Sequence, residues 1–326
     1  MNRWLIEGRL TTRAPLHIGS GEAVTRPNLT RDRPGGGKEL VEVAAVLTDH
    51  EGRAHIPGST LKGVLRAWLK AREEKGVEQV FGSTKPGANA AAGRATFRGA
   101  SADSKTDSFT SRLWDPQSFT DVVAGVAIDR RMRTASDEKL FHAEVVPPGV
   151  TFNVLVEGRD LDDDHVKLLL RALAGFDDPE RPVAIGSRTN DGWGRCHWTP
   201  GRVIEVDAGA AGKWIDAGGG VAKLWDFGCD RMALADGLTA PRSPGAFVEV
   251  EIELSFDGGF LVNDPRQAHD ERQPVPQGQT KLADRVPLRD ARGGNWVHLP
   301  ASSFRGAFRA QAERIFRTLG GTTPVE

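Results

Sequence analysis

Twice in this chain a proline turn runs into a serine and then two basic residues four positions apart. The first copy is His55-Ile56-Pro57-Gly58-Ser59-Thr60-Leu61-Lys62-Gly63-Val64-Leu65-Arg66, and the second is His298-Leu299-Pro300-Ala301-Ser302-Ser303-Phe304-Arg305-Gly306-Ala307-Phe308-Arg309. On a helix, Lys62 and Arg66 share one face, as do Arg305 and Arg309. Ser59 and Ser302 stand at the helix starts, where free backbone amides already favour anions. The chemistry offered is a phosphate site, present twice. A third cluster is the glycine-rich run from Ile185 to Arg195, in which Gly186 and Gly192 let backbone approach a phosphate closely. There Ser187, Arg188, Trp193 and Arg195 supply polar, aromatic and cationic groups. Plainer readings compete: a basic helix face is often only solvated, and Gly192-Trp193-Gly194 is also the signature of a tight turn with a packed ring. His17, His50, His55, His142, His269 and His298 are acid–base candidates. His55 and His298 recur at equivalent positions and read as strand-end residues.

These groups need elements to hold them. Alternation through Leu5, Glu7, Arg9 and Thr11 predicts a strand over residues 3–18 that ends at Gly19-Ser20-Gly21, and residues 31–38 read as a mobile polar loop. A strand over 41–47 and a turn over 49–52 precede a helix capped by Ser59 or Thr60 and running to about Lys75. Its buried stripe is Leu61, Val64, Leu65, Trp68 and Leu69. Residues 82–107 read as a loop-rich excursion, and two strand-like runs at 127–130 and 142–146 as a projecting hairpin. A strand over 151–157, a helix over 161–176 and a strand over 196–198 complete the first unit. The order fits an α+β fold, a ferredoxin-like split βαβ palm. The domain reading is a first module at 1–200, a flexible linker at 201–246, and at 247–326 the opening part of a second module. That part has a strand over 248–254, a long polar loop over 263–281, a short strand over 286–288 and the repeated helix. An incomplete palm would leave a sheet edge open and Phe304, Phe308, Ile315 and Phe316 uncovered, so a further stretch or chain completing it is expected.

Composition sets the limits. The chain has 326 residues, 43 basic and 44 acidic, with a net charge of -1, so nucleic-acid binding has to come from local patches. Cys196 and Cys229 stand far apart and outside any CxxC spacing, which gives no zinc ribbon and no disulfide framework, and predicts a reducing compartment. The N-terminus alternates and carries charge, without an apolar leader, and no run is long enough to cross a bilayer. A cytoplasmic, soluble protein is expected. Tyrosine is absent.

The motifs, in their order, resemble the RAMP (repeat-associated mysterious protein) superfamily, and within it the backbone subunits of type III CRISPR effector complexes. The resemblance rests on Leu16-His17-Ile18-Gly19-Ser20-Gly21, on Ile56 to Gly63, on Val80-Phe81-Gly82-Ser83, on Ile128-Asp129-Arg130 in the hairpin, and on Ile185 to Arg195. It implies a palm that binds guide RNA (crRNA) through Ser59, Lys62, Arg66 and the glycine loop. It also implies a thumb hairpin, carrying Arg130, that inserts between bases of the guide–target duplex. Ser302, Arg305 and Arg309 are the equivalents in the second module.

In nuclease members an Asp before the Pro-Gly-Ser helix cuts target RNA, and Asp284 in Ala283-Asp284-Arg285-Val286-Pro287 matches it. In the first module Val43 stands in register, with Glu42 one residue earlier. A carboxylate at that place could deprotonate a 2′-hydroxyl directly or through a divalent ion such as magnesium. The implied function is an RNA-guided endoribonuclease component whose partners are crRNA, complementary target RNA and other effector subunits. Two alternatives stay open: a non-catalytic crRNA scaffold, and a pre-crRNA-processing nuclease using His17.

Overall fold

The computed structural model describes residues 2–32, 38–72, 74–83, 91–103, 114–128, 135–219, 221–236, 238, 252–259, 261–262, 297 and 299–320. Its centre is β1 (Arg3–Thr12), a strand whose side chains at Trp4, Ile6 and Leu10 are buried. On one side β1 pairs antiparallel with β10 (Cys196–Val206), and on the other with β9 (Thr151–Arg159). Beyond β9 lies β5 (Ala95–Phe97). The order β10-β1-β9-β5 is that of a ferredoxin-like sheet, with two helices crossing it in split βαβ fashion. One glycine lets the sheet close: at Gly8, beside a register shift in β1, a Cβ would overlap the indole of Trp198.

The first crossing helix is α1 (Gly58–Lys70), which buries Leu61, Leu65, Trp68 and Leu69; Val64 is partly buried against the same core. It starts differently from expectation. Pro57 is the N-cap and no side chain caps the helix, so neither Ser59 nor Thr60 does. Entry is set instead by Gly58, where a Cβ would overlap the backbone of Phe97. The helix also stops five residues early, because Arg72 turns inward to pair with Asp178 and lies 3.8 Å from the Trp68 ring. That buried pair ties the end of α1 to the turn after α3 (Asp163–Ala174). The second crossing helix, α3, begins as its sequence dictates: Asp162 accepts from the His165 amide at 2.9 Å, with Asp163 and Asp164 in the first turn. Between α1 and β5 sits α2 (Val77–Phe81), whose Phe81 stacks on Phe97 with centroids 5.4 Å apart.

A second sheet projects from the palm. Its order is β2 (Gly19–Asp32), β3 (Lys38–Val46), β8 (Ala135–Val145), β7 (Asp121–Ile128). The β7–β8 pair is the expected hairpin, but β7 starts six residues before the run read at 127–130 and β8 seven before the run read at 142–146, so it takes in residues 135–138 that read as the turn. The first strand, read as running to residue 18, ends at Thr12, and β2 extends through residues read as loop. Its pairing with β3 and the parallel contact of Ala44 with Ala143 join two hairpins into one sheet. Glu144 is the tie: it takes Arg26 Nη2 at 2.6 Å and the Val46 amide at 3.1 Å, so one buried carboxylate holds β2, β3 and β8. The excursion over 82–107 also hides structure. It contains β5 and β6 (Ala100–Ser101), which pairs with β4 (His55–Ile56).

Strand β10 continues to Val206, six residues into the stretch read as linker, and α4 (Ala208–Asp216) follows, capped by Asp207. β11 (Cys229–Asp230) then adds to the edge of β10. Arg231 pairs with Asp163 at 2.6 Å and also with Glu205, while Met232, Leu234 and Leu238 pack on the palm core. Small residues suggested flexibility here, but the apolar and charged ones between them find partners on the sheet. Of the strand expected over 248–254, residues 252–254 are exposed and carry no β pairing among the described residues; 248–251 lie outside them. Alternation marks one apolar face, but a strand forms only against a neighbour. The last element is α5 (Ala301–Gly320), with Phe308, Ile315, Phe316 and Leu319 exposed.

Candidate nucleic-acid interface

The glycine loop is built by two segments far apart in sequence. The Ser187 amide donates to the His17 carbonyl at 2.9 Å, the Gly194 amide to the Pro15 carbonyl at 2.8 Å, and the Arg13 amide to the Arg195 carbonyl at 2.8 Å. Gly186 and Gly194 both have positive φ, and a Cβ would overlap the His17 carbonyl at the first and the Ile185 carbonyl at the second. These glycines are therefore required for close backbone approach within the protein itself. His17 is anchored in turn, with Nδ1 donating to the Glu144 carbonyl at 2.7 Å. The Leu16-His17-Ile18 segment, the glycine loop and the root of the hairpin thus form one junction.

Arg188 stands at that junction with φ +56, a left-handed backbone uncommon outside glycine. Its guanidinium lies 4.4 Å from the Trp193 ring and 5.0 Å from the Phe141 ring on β8. Asp191 accepts from Arg188 Nε at 3.0 Å and from Arg305 Nη1 of α5 at 2.8 Å. Burial would raise the Asp191 carboxyl, but the hydrogen bonds from Arg305 and Arg188 hold it below its ordinary value. Gly192, at positive φ, faces Ala301. The start of the second motif copy therefore docks on the glycine loop that follows the first. Arg195 is exposed beside it.

The first copy has its own cleft. Ser59 and Lys62 line a cavity of 420 Å³ together with Gly82, Ser83, Gly93 and Thr96. Ser59 is exposed and Lys62 half-buried. One turn on, Arg66 buries Nε and Nη2 without a hydrogen-bond partner among the described residues. Buried N–H groups without an acceptor are costly, and an anion would relieve them.

The remaining expected residues divide. Arg305 is engaged with Asp191, and Arg309 pairs with Glu313 one turn along at 2.9 Å. Ser302 lies in the first turn of α5. Asp284 and Arg130 lie outside the described residues. Val43, the register position in the first module, is fully buried in β3, and Glu42 beside it is exposed. His55 has a structural part, its Nδ1 3.0 Å from Ser101 Oγ across β4 and β6. No group of three or more His, Cys, Asp or Glu among the described residues is placed to hold a metal ion. Phe141 and Asp191 were not singled out from sequence. Phe141 follows residues that read only as a polar turn and a strand, and Asp191 carries no pattern of its own.

A model of the RAMP superfamily matches residues 9–197, more than half of the chain, from the end of β1 to the first residues of β10. The chain belongs to the RAMP superfamily. Among curated proteins none matches it. A chain in the cryo-EM structure of type III-B Cmr-beta in its apo state is similar to this RAMP chain over 60% of its length and 96% of that chain, with 14% identity and a TM-score of 0.43. The match of the RAMP model ends at His197, so α4, β11 and α5 lie beyond it. No helix among the described residues is long and apolar enough to cross a membrane.

Proposed function

We propose that this RAMP chain is a backbone component of a type III CRISPR effector, holding crRNA on its palm so that a complementary RNA can be cut. The observation that carries the reading is the junction itself. Glycine loop, residues 15–17 and hairpin root meet around Arg188, which places a half-buried cation between the Trp193 and Phe141 rings with Arg195 exposed beside it, at the foot of the hairpin. The Nε and Nη2 groups of Arg66, without a partner among the described residues, and the Ser59–Lys62 cleft support a phosphate path along α1. Asp284 is the proposed cutting residue, taking the proton of a 2′-hydroxyl as its oxygen bonds to the adjacent phosphorus; the bond from phosphorus to the 5′-oxygen of the next nucleotide breaks, that oxygen takes a proton from water, and the products are a 2′,3′-cyclic phosphate and a 5′-hydroxyl. Magnesium is the proposed divalent ion for that step. Other effector subunits and the target RNA are the proposed partners.

Buried Val43 favours a second reading in which the first module only holds the guide. The first of two experiments tests the RNA binding that both readings share, and the second separates them. Single-stranded RNA should bind the intact chain and be lost progressively as salt rises, because phosphate contacts release counterions. Cleavage of a strand complementary to a bound guide, with magnesium and within the assembled complex, should vanish in Asp284→Ala while binding persists. Cutting that survives Asp284→Ala leaves only the scaffold reading.

A further inference from the structure

Arg188 and Arg305 are cations that the RNA reading takes from the glycine loop and from the second motif copy, and one carboxylate holds both. Asp191 accepts from Arg188 Nε at 3.0 Å through one oxygen and from Arg305 Nη1 at 2.8 Å through the other. It is the least exposed of the three side chains, at 16% against 30% and 51%. The backbone fixes it there: its amide donates to the Arg188 carbonyl at 2.8 Å, closing a short turn that starts from the left-handed Arg188. Next to it, Gly192 faces Ala301 at the start of α5. The rings of Trp193 and Phe141 lie 4.4 and 5.0 Å from the Arg188 guanidinium, so few directions stay open to an anion and Asp191 holds one of them.

A carboxylate between two guanidiniums offers them the negative charge and acceptor oxygens that a phosphate would. An RNA phosphate that approaches either arginine therefore competes with Asp191. The competition reaches α5, because the Asp191–Arg305 pair and the Gly192–Ala301 contact join the start of that helix to the loop. Resting on the RNA reading above, we propose that Asp191 is an internal competitor for phosphate: it occupies Arg188 and Arg305 in the free protein, and RNA binding at these arginines displaces it and releases the start of α5 from the glycine loop. By linkage, the docked α5 weakens RNA binding by the same factor by which RNA weakens the docking. The contact is autoinhibitory, and it ties the state of the second motif copy to the occupancy of the first module's loop.

The test uses the intact chain and a fluorescein-labelled single-stranded RNA. Asp191→Asn keeps the side-chain size and one acceptor but removes the charge, and Asp216→Asn, at the exposed end of α4, removes one charge away from the loop. Asp191→Asn should bind RNA about 5-fold tighter than Asp216→Asn does, the equivalent of one exposed ion pair. In the unmutated chain RNA should raise amide hydrogen exchange across residues 301–309. In Asp191→Asn that exchange should be high before RNA is added and rise no further. Weaker RNA binding by Asp191→Asn, with unaltered melting, would mean that Asp191 positions the arginines, and tightening equal to that of Asp216→Asn would mean general repulsion only. Either result overturns the proposal, as does exchange at 301–309 that RNA leaves unchanged or lowers in the unmutated chain, a measurement that needs neither variant. If the unmutated chain binds no RNA, the RNA reading itself fails and this one with it.

Discussion

Cys196 and Cys229 show how position divides identical side chains. Cys196 starts β10 fully buried, and burial pushes its thiol up to about 12, whereas Cys229 is exposed on β11. At neutral pH an aromatic disulfide reagent should therefore modify one thiol quickly, and Cys229→Ser should abolish that fast phase; two fast thiols would contradict the packing. Asp49 makes a pH argument. Burial works against its carboxylate, but hydrogen bonds from Ser101, from Arg53 and from the Glu51 amide, with an ion pair to Arg53 at 2.9 Å, hold it well below the usual carboxylate range. Because the folded state lowers this pKa, its contribution is complete above the unfolded value of about 3.9 and is lost as pH falls below it. Asp49→Asn should thus be less stable at neutral pH and lose less on acidification, as thermal melts at pH 7 and pH 2 would show. At the buried pair the expected cost is larger. Asp178→Ala strands the Arg72 guanidinium in the core and should cost about 3–5 kcal/mol in denaturant unfolding.

The glycine loop is the element whose geometry is least forgiving. Gly194→Ala must move the Ile185 carbonyl as well as accept a strained φ, and about 2–4 kcal/mol of stability should go with RNA binding. Gly192 has a similar φ but only the Ala301 methyl near its missing Cβ, so Gly192→Ala should cost about 1 kcal/mol. Comparable losses for the two would show that the tight approach at Gly194 is not what shapes the loop. The helix pair teaches a related lesson. Both copies of the Pro-Ser-basic motif form helices, yet Gly58 lets α1 press onto the Phe97 backbone, and the second copy has Ala301 there and packs against Gly192.

Across the whole molecule, α5 and the palm are linked by the pair of Asp191 with Arg305, which is half-exposed. Arg305→Ala should change global stability by less than about 1 kcal/mol, as exposed pairs do. It should nevertheless raise amide hydrogen exchange in residues 188–193, since one of the two cations holding Asp191 is gone. Unchanged exchange there would mean that α5 does not brace the loop. The stretch after β10 matters at the same scale. Arg231 bridges Asp163 at the start of α3 and Glu205 on β10, so residues read as linker clamp the palm sheet to its helix.

Sequence alone determined the α+β class, the succession of β1, α1, β9, α3 and β10 along the chain, the hairpin, and the RAMP resemblance that the family match to residues 9–197 bears out. Those properties follow from local periodicity and from motifs read along the chain. It did not reveal β5, the pairing of β2 with β3, or the packing of residues 199–238, because these depend on partners distant in sequence. The basic residues of the two motif copies were legible by type. Only tertiary structure decided that Arg66 buries Nε and Nη2 without an acceptor among the described residues, that Arg305 is spent on Asp191, and that Phe141 lies under Arg188. Spacing fixes which residues share a helix face; what that face meets is set by the fold around it.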